Sequence, residues 1–325
     1  MSAPRIRLAG TPEGFDAVLL AGERARQDTP LLHVARDDAR MARLAEALAF
    51  FAPGVPVLQF PAWDCLPYDR VGPNAEITAR RVATLARLAD NGAARAIVLT
   101  TVNALCQKVP PPEAFRGASL TLARGRKNPP QTLIGFLGSH GYIRAGTVME
   151  PGEYAVRGGL VDLWPAGREE PVRLDFFGDE LEAIRPFDPL SQRSSGSTER
   201  LELRPVSEVP LDAGAVARFR EAWRELFGSS ATEDPLYLAI SERRRFDGME
   251  HWVSLFHPAM ATLLDYLPGA RVSFDHEADG VLETRLETIA EHFDARRSSQ
   301  AASVAGGETP YRPVPPVRLY LDQRS

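Results

Sequence analysis

Over the first third of the chain, unbroken apolar runs alternate with apolar residues spaced three and four apart. Leu31 to Ala35 is one such run, and it predicts a strand buried on both faces. Asp37 or Asp38 can cap the helix that follows, on which Met41, Leu44, Leu48 and Phe51 share one face. Val55 to Phe60 predicts a second strand. Asn74 can cap a helix carrying Ile77, Val82, Leu85 and Leu88, and Ala96 to Thr100 predicts a third strand with a short helix around Val102–Leu105. Strands alternating with helices imply a parallel sheet covered on both faces. Three prolines at 110–112 close this region.

Beyond residue 119 the period changes from helical to alternating. One helix, about 129–140, ends at Gly141, a fitting residue just past a helix C-terminus. Short strands follow at Tyr142–Met149, Tyr154–Val156, Leu160–Trp164, Pro171–Phe177 and Leu181–Phe187. Gly158-Gly159 and Gly178-Asp179 supply tight turns between them. Gln192–Glu199 reads as a polar loop. From residue 206 the pattern is α/β again, with helices near 213–227 and 281–297 and short strands at 236–240, 271–274 and 317–321. Ser298–Thr309 is small and polar and reads as a linker. The expected organisation is an α/β domain over 1–118, a small β-rich α+β domain inserted over 119–205, and an α/β segment over 206–325 that packs back on the first.

A length of 325 residues suits two or three domains rather than one core. Apolar residues make up 44% and charged residues 25%, enough to bury such cores. No apolar run is long enough to span a bilayer and no secretory leader is visible, so a cytoplasmic protein without membrane partners is expected. Cys65 and Cys106 are the two cysteines, which argues for plain thiols over a disulfide framework or a zinc site. With 38 basic against 43 acidic residues the net charge is −5, unlike a protein that lives mainly on nucleic-acid phosphates.

Candidate chemistry is sparse. A phosphate-binding loop after the first strand would read GxxxxGK[ST], with backbone amides and a lysine on the phosphates. Here the turn is Ala35-Arg36-Asp37-Asp38-Ala39-Arg40, and the two lysines, Lys108 and Lys127, never follow a glycine. Nucleotide hydrolysis by this chain is therefore not expected. The six histidines have no metal-ligand spacing, no serine sits in a GxSxG elbow, and no cofactor is implied. The richest segment is Gly152 to Pro189. Alternation puts Val172, Leu174 and Phe176 on one face of a strand and Arg173, Asp175 and Phe177 on the other. Two readings stay open at this point. Arg173 and Phe177 form an exposed contact surface, as arginine and aromatics often do. Alternatively, Arg173 pairs with Asp175 or Glu180 and Phe177 tucks under its hairpin. Two arginine-rich stretches, Arg124-Gly-Arg126-Lys127 and Arg243–Arg245, give limited support to nucleic-acid binding instead.

The runs GEYAVRGGLVDLWP (152–165) and VRLDFFGDELEAIRPFDPLSQRS (172–194) closely resemble the small β-domain of the transcription-repair coupling factors. They are similar, more distantly, to its counterpart in the excision-repair protein UvrB. The resemblance extends through residues 60–85 and 96–111 and weakens after about residue 210. It implies a degenerate, P-loop-like α/β fold built from two chain segments, called domains 1a and 1b, around an inserted domain 2. It implies that domain 2 recruits UvrA, with Arg157, Arg173 and Phe177 as the contacting residues, and so favours the exposed reading. In the longer family proteins a C-terminal domain masks this surface, and further regions bind RNA polymerase and drive ATP-dependent translocation on DNA. UvrB itself carries a phosphate-binding loop and a long DNA-clamping hairpin. Here the loop is erased, and Asp69–Pro73 is too short for such a hairpin.

Overall fold

The computed structural model describes residues 6–90, 95–305 and 310–322. Its first part begins with α1 (Phe15–Arg26), which no sequence pattern had suggested, then β1 (Leu31–Ala35) and α2 (Asp38–Phe51). Asp37 caps α2 by accepting a 2.7 Å hydrogen bond from the Arg40 amide. β2 (Val57–Phe60), α3 (Ala75–Ala89), β3 (Ile97–Thr101) and the single turn α4 (Val102–Leu105) follow. Asn74 caps α3 through the Glu76 amide at 2.7 Å.

The second part contains β4 (Leu120–Ala123), α5 (Pro130–Ser139), β5 (Ile143–Arg144), β6 (Glu153–Arg157), β7 (Leu160–Leu163), β8 (Val172–Phe177), β9 (Glu180–Pro186) and β10 (Arg200–Leu203). The third contains α6 (Ala213–Phe227), α7 (Pro235–Ser241), β11 (Arg271–Phe274), α8 (Ala278–Ala305) and α9 (Pro316–Leu319).

Three sheets organise these elements. The parallel sheet has the order β11-β1-β3-β2. β11 pairs with β1 from Leu31↔Arg271 to Val34↔Phe274, so a strand from the last third of the chain forms one edge of the first sheet. Leu32, Val34, Leu58, Phe60 and Val98 pack on α3 and on Leu263 and Tyr266. Leu31, Ile97 and Leu99 pack on α1 and α2. The five-stranded sheet runs β5-β6-β7-β8-β9, and β4 with β10 forms a separate antiparallel pair. The inner face of the larger sheet packs on α5 and on the β4–β10 pair through Leu122, Leu133, Leu137, Leu174, Phe176, Ile184 and Leu201. That sheet is antiparallel except for the short β5–β6 pair, which is parallel. A further core gathers Phe219, Trp223, Tyr237, Trp252 and Tyr311.

Several expected elements differ. Residues 236–240 form helix rather than strand, because Asp234 caps the Leu236 amide at 3.0 Å and Pro235 occupies the first helical position. Residues 317–321 likewise lie mostly in α9, started by Pro316, and Tyr320 makes only an isolated bridge to Gln107. The polar stretch read as a linker from 298 is helical to Ala305 as part of α8, and residues 306–309 lie outside the described residues. Its serines and alanines are compatible with a helix that continues from a packed N-terminal half. Of Tyr142–Met149, only Ile143–Arg144 is strand.

Two features fix the β-rich part on the rest. Glu208, just past β10, is fully buried against Arg81 of α3 at 2.5 Å, and the Arg81 guanidinium lies 4.2 Å from the Phe60 ring centroid. Gly141, with φ +90, lies against Ser207, where a Cβ would come within 2.3 Å of the serine Cβ. Glycine is required there on both counts.

Candidate functional site

The five-stranded sheet has an inner face committed to its core and an outer face that is only partly covered. Register places the outer residues in rows. Arg157, Leu160, Asp175 and Ala183 form one row, and Ala155, Asp162, Arg173 and Arg185 form the next. Phe177 lies two residues beyond Asp175 on β8, at the hairpin tip. A register shift between Asp175 and Phe176 gives β9 an extra residue, Glu182, beside that tip. The Gly158–Gly159 turn approaches the same place. A Cβ on Gly159 would lie 2.7 Å from the Phe176 carbonyl oxygen, so glycine lets the turn carrying Arg157 press against β8.

The three residues implied by the family resemblance share this face, but their environments differ. Phe177 is 77% exposed and tucks under nothing. Arg157 is exposed and donates to the Gly146 carbonyl at 2.8 Å and Thr147 Oγ1 at 2.9 Å. Arg173 is held. Its Nε and Nη2 donate to the two oxygens of Asp162 at 2.7 and 2.8 Å, and its guanidinium lies 5.0 Å from the Phe187 ring centroid. Its side chain is 19% exposed and that of Asp162 is 3%. The hydrogen bond to Asp162 raises the arginine's pKa above its usual value. The partner of Arg173 is thus neither Asp175 nor Glu180 but a carboxylate on the neighbouring strand. Strand alternation shows which side chains share a face of one strand. It does not show which residue of the next strand lies opposite, and this is why Asp162 was missed.

The turn after β1 is filled by the protein's own charges. Arg40, at the start of α2, is buried and ion-paired with Asp16 of α1, with Asp275 after β11 at 3.2 Å and with Glu13 at 3.6 Å. Arg36 reaches His276 Nε2 at 2.6 Å and Glu277 at 3.4 Å. Burial pushes the Asp275 carboxyl up, but Arg40, His276 and backbone amides more than offset this and leave it below the usual range. Carboxylates thus surround the position where backbone amides would face a phosphate.

Other candidate chemistry is subdued. The Cys65 thiol is pushed up to about 12, by burial first and then by Asp64, Asp69 and Glu250. His251 Nε2 is 3.9 Å from Cys65 Sγ, but it also lies 3.1 Å from the Val71 carbonyl, to which it must donate. In that tautomer it cannot act as base toward the thiol. Among the described residues no cluster of three or more His, Cys, Asp or Glu could hold a metal. The arginine-rich stretches are partly paired: Arg124 with Glu199 at 3.1 Å, Arg244 with Glu242, and Arg245 with Glu250 at 2.9 Å. The short 69–73 connection is pinned by Arg296 Nε donating to the Tyr68 carbonyl at 2.7 Å. No helix among the described residues is long and apolar enough to cross a membrane.

The protein is an α/β body bearing a small β-rich part with one partly open sheet face, and residues 120–208, which carry that sheet, match the UvrB interaction domain family. The chain is 35% identical over 318 residues, 97% of its length, to the transcription-repair-coupling factor of Escherichia coli (strain K12). It is 35% identical over 315 residues to that of Haemophilus influenzae, covering 95% of the chain, and 32% over 333 residues to that of Myxococcus xanthus, covering 90%. The chain belongs to the transcription-repair-coupling factor family. It spans about a quarter of the length of these relatives: 27%, 26% and 27% respectively.

Proposed function

We propose that this chain is the part of a transcription-coupled repair factor that recruits UvrA, acting as a mimic of UvrB through the outer face of its five-stranded sheet. The observation that carries the reading is the open face holding Arg157, Arg173 and the 77% exposed Phe177 within the segment that matches the UvrB interaction domain. An exposed phenylalanine on a face that also carries arginines has the composition of a protein-contact hot spot. In the longer protein, a C-terminal domain covers this face until it is released, and RNA polymerase and DNA are engaged by regions outside this chain. The module acts in the cytoplasm. It hydrolyses no nucleotide itself, because Arg40 and its carboxylates fill the turn after β1. An ATPase assay on the purified chain tests that point.

Titration of UvrA into the wild-type chain, Phe177→Ala and Arg157→Ala tests the docking face. Each replacement should weaken binding by about 2 kcal/mol or more, as truncation of a hot-spot side chain does. Unchanged affinity in both variants overturns the site. Arg173→Ala is a poorer probe, because it also leaves the buried Asp162 carboxylate without its partner.

A further inference from the structure

Resting on that docking reading, we infer that Arg185 is a further contact residue of the same face, and that the partner presents a carboxylate to the gap between Arg173 and Arg185. Arg185 stands directly opposite Arg173 in the β8–β9 register. Like charges in such cross-strand positions cost stability. The two guanidinium groups are not equivalent. Asp162 neutralises Arg173, and the Phe187 ring and the Gln192 carbonyl oxygen at 3.4 Å hold it in place. Arg185 is exposed and has no hydrogen-bond or ion-pair partner among the described residues. The held arginine therefore forms a fixed wall, and the free one is available to close on an acidic group.

The surroundings agree with that division. Ala183, two residues from Arg185 on β9, leaves the floor beside the two arginines low. Asp175, in the same row as Ala183, makes no ion pair with Arg185. Phe177 stands at the far end, four residues from Arg173, which is about 13 Å along an extended strand. The footprint thus has an aromatic side chain at one end and a pair of arginines at the other. Its complement is a protein surface with an apolar recess and, about 13 Å away, an Asp or Glu side chain able to take paired N–H groups.

The test is titration of purified UvrA into the full chain and into Arg185→Ala, Arg185→Lys and Phe177→Ala, each at two salt concentrations. Arg185→Ala should lower affinity about tenfold or more and flatten the salt dependence. Arg185→Lys should recover part of the affinity, because it keeps the charge and loses the fork. The thermal midpoint of Arg185→Ala should be no lower than that of the wild type, since the substitution removes a like-charge neighbour and breaks no ion pair. Wild-type affinity in Arg185→Ala, with binding lost in Phe177→Ala, overturns this inference and leaves the docking reading standing. Wild-type affinity in every variant overturns both.

Discussion

At the scale of single residues, the Asp162–Arg173 pair ties the proposed contact face to the stability of the sheet. Asp162 is buried and accepts both hydrogen bonds from one guanidinium, so removing the arginine strands a desolvated carboxylate. Arg173→Ala should cost about 3 kcal/mol of folding stability, and Asp162→Asn in the same chain should restore much of it. Equal denaturation midpoints for wild type and Arg173→Ala would refute the account. Phe177→Ala, which removes an exposed ring, should stay within about 0.5 kcal/mol of wild type. The sequence made the composition of this surface legible but not its division of labour. Alternation along β8 put Arg173 and Phe177 on one face, whereas their different exposure depends on strand register and on the cluster of Val148, Ala155 and Phe187 at the Arg173 end of that face.

At the scale of elements, legibility followed the distance between partners along the chain. The hairpins of β6 to β9 and the capped helices α2 and α3 are local, and turn residues and caps announced them. The β4–β10 pair joins Leu120–Ala123 to Arg200–Leu203 across nearly eighty residues, and no local signal marked it. The segments 236–240 and 317–321 misled because short apolar runs fit strand and helix alike. The prolines at 235 and 316 were the cue that they start helices. The β4–β10 pair also completes a core drawn wholly from residues 120–206. A fragment of residues 119–208 should therefore fold alone and unfold in one cooperative transition, read by circular dichroism and dispersed amide NMR signals. A fragment without cooperative unfolding would show that α3 and its Arg81–Glu208 contact are needed to hold it.

At the scale of the whole molecule, burial of three histidines makes stability depend on pH. Burial lowers the pKa of His33, His251 and His257 below the usual value. For His33, Asp16 and Asp275 oppose the shift and Arg40 reinforces it. The unfolded chain takes up protons at these sites below about pH 6.5 while the native chain resists. Their contribution is therefore complete above that pH and lost as the pH falls toward their lowered native values. Glu250, raised by burial, acts in the opposite sense. The denaturant midpoint of the wild type should thus fall more steeply between pH 7.5 and 5.5 than that of His33→Gln, and parallel curves would exclude the effect. The pairing of β1 with β11 has a different consequence. Residues 31–34 must wait for residues 271–274 before the parallel sheet is complete, so the body of the protein has a high contact order and closes late. The β-rich domain needs no such delay. During synthesis from the N-terminus, the domain that carries the proposed docking face can be finished on the ribosome while the scaffold that supports it still lacks an edge strand.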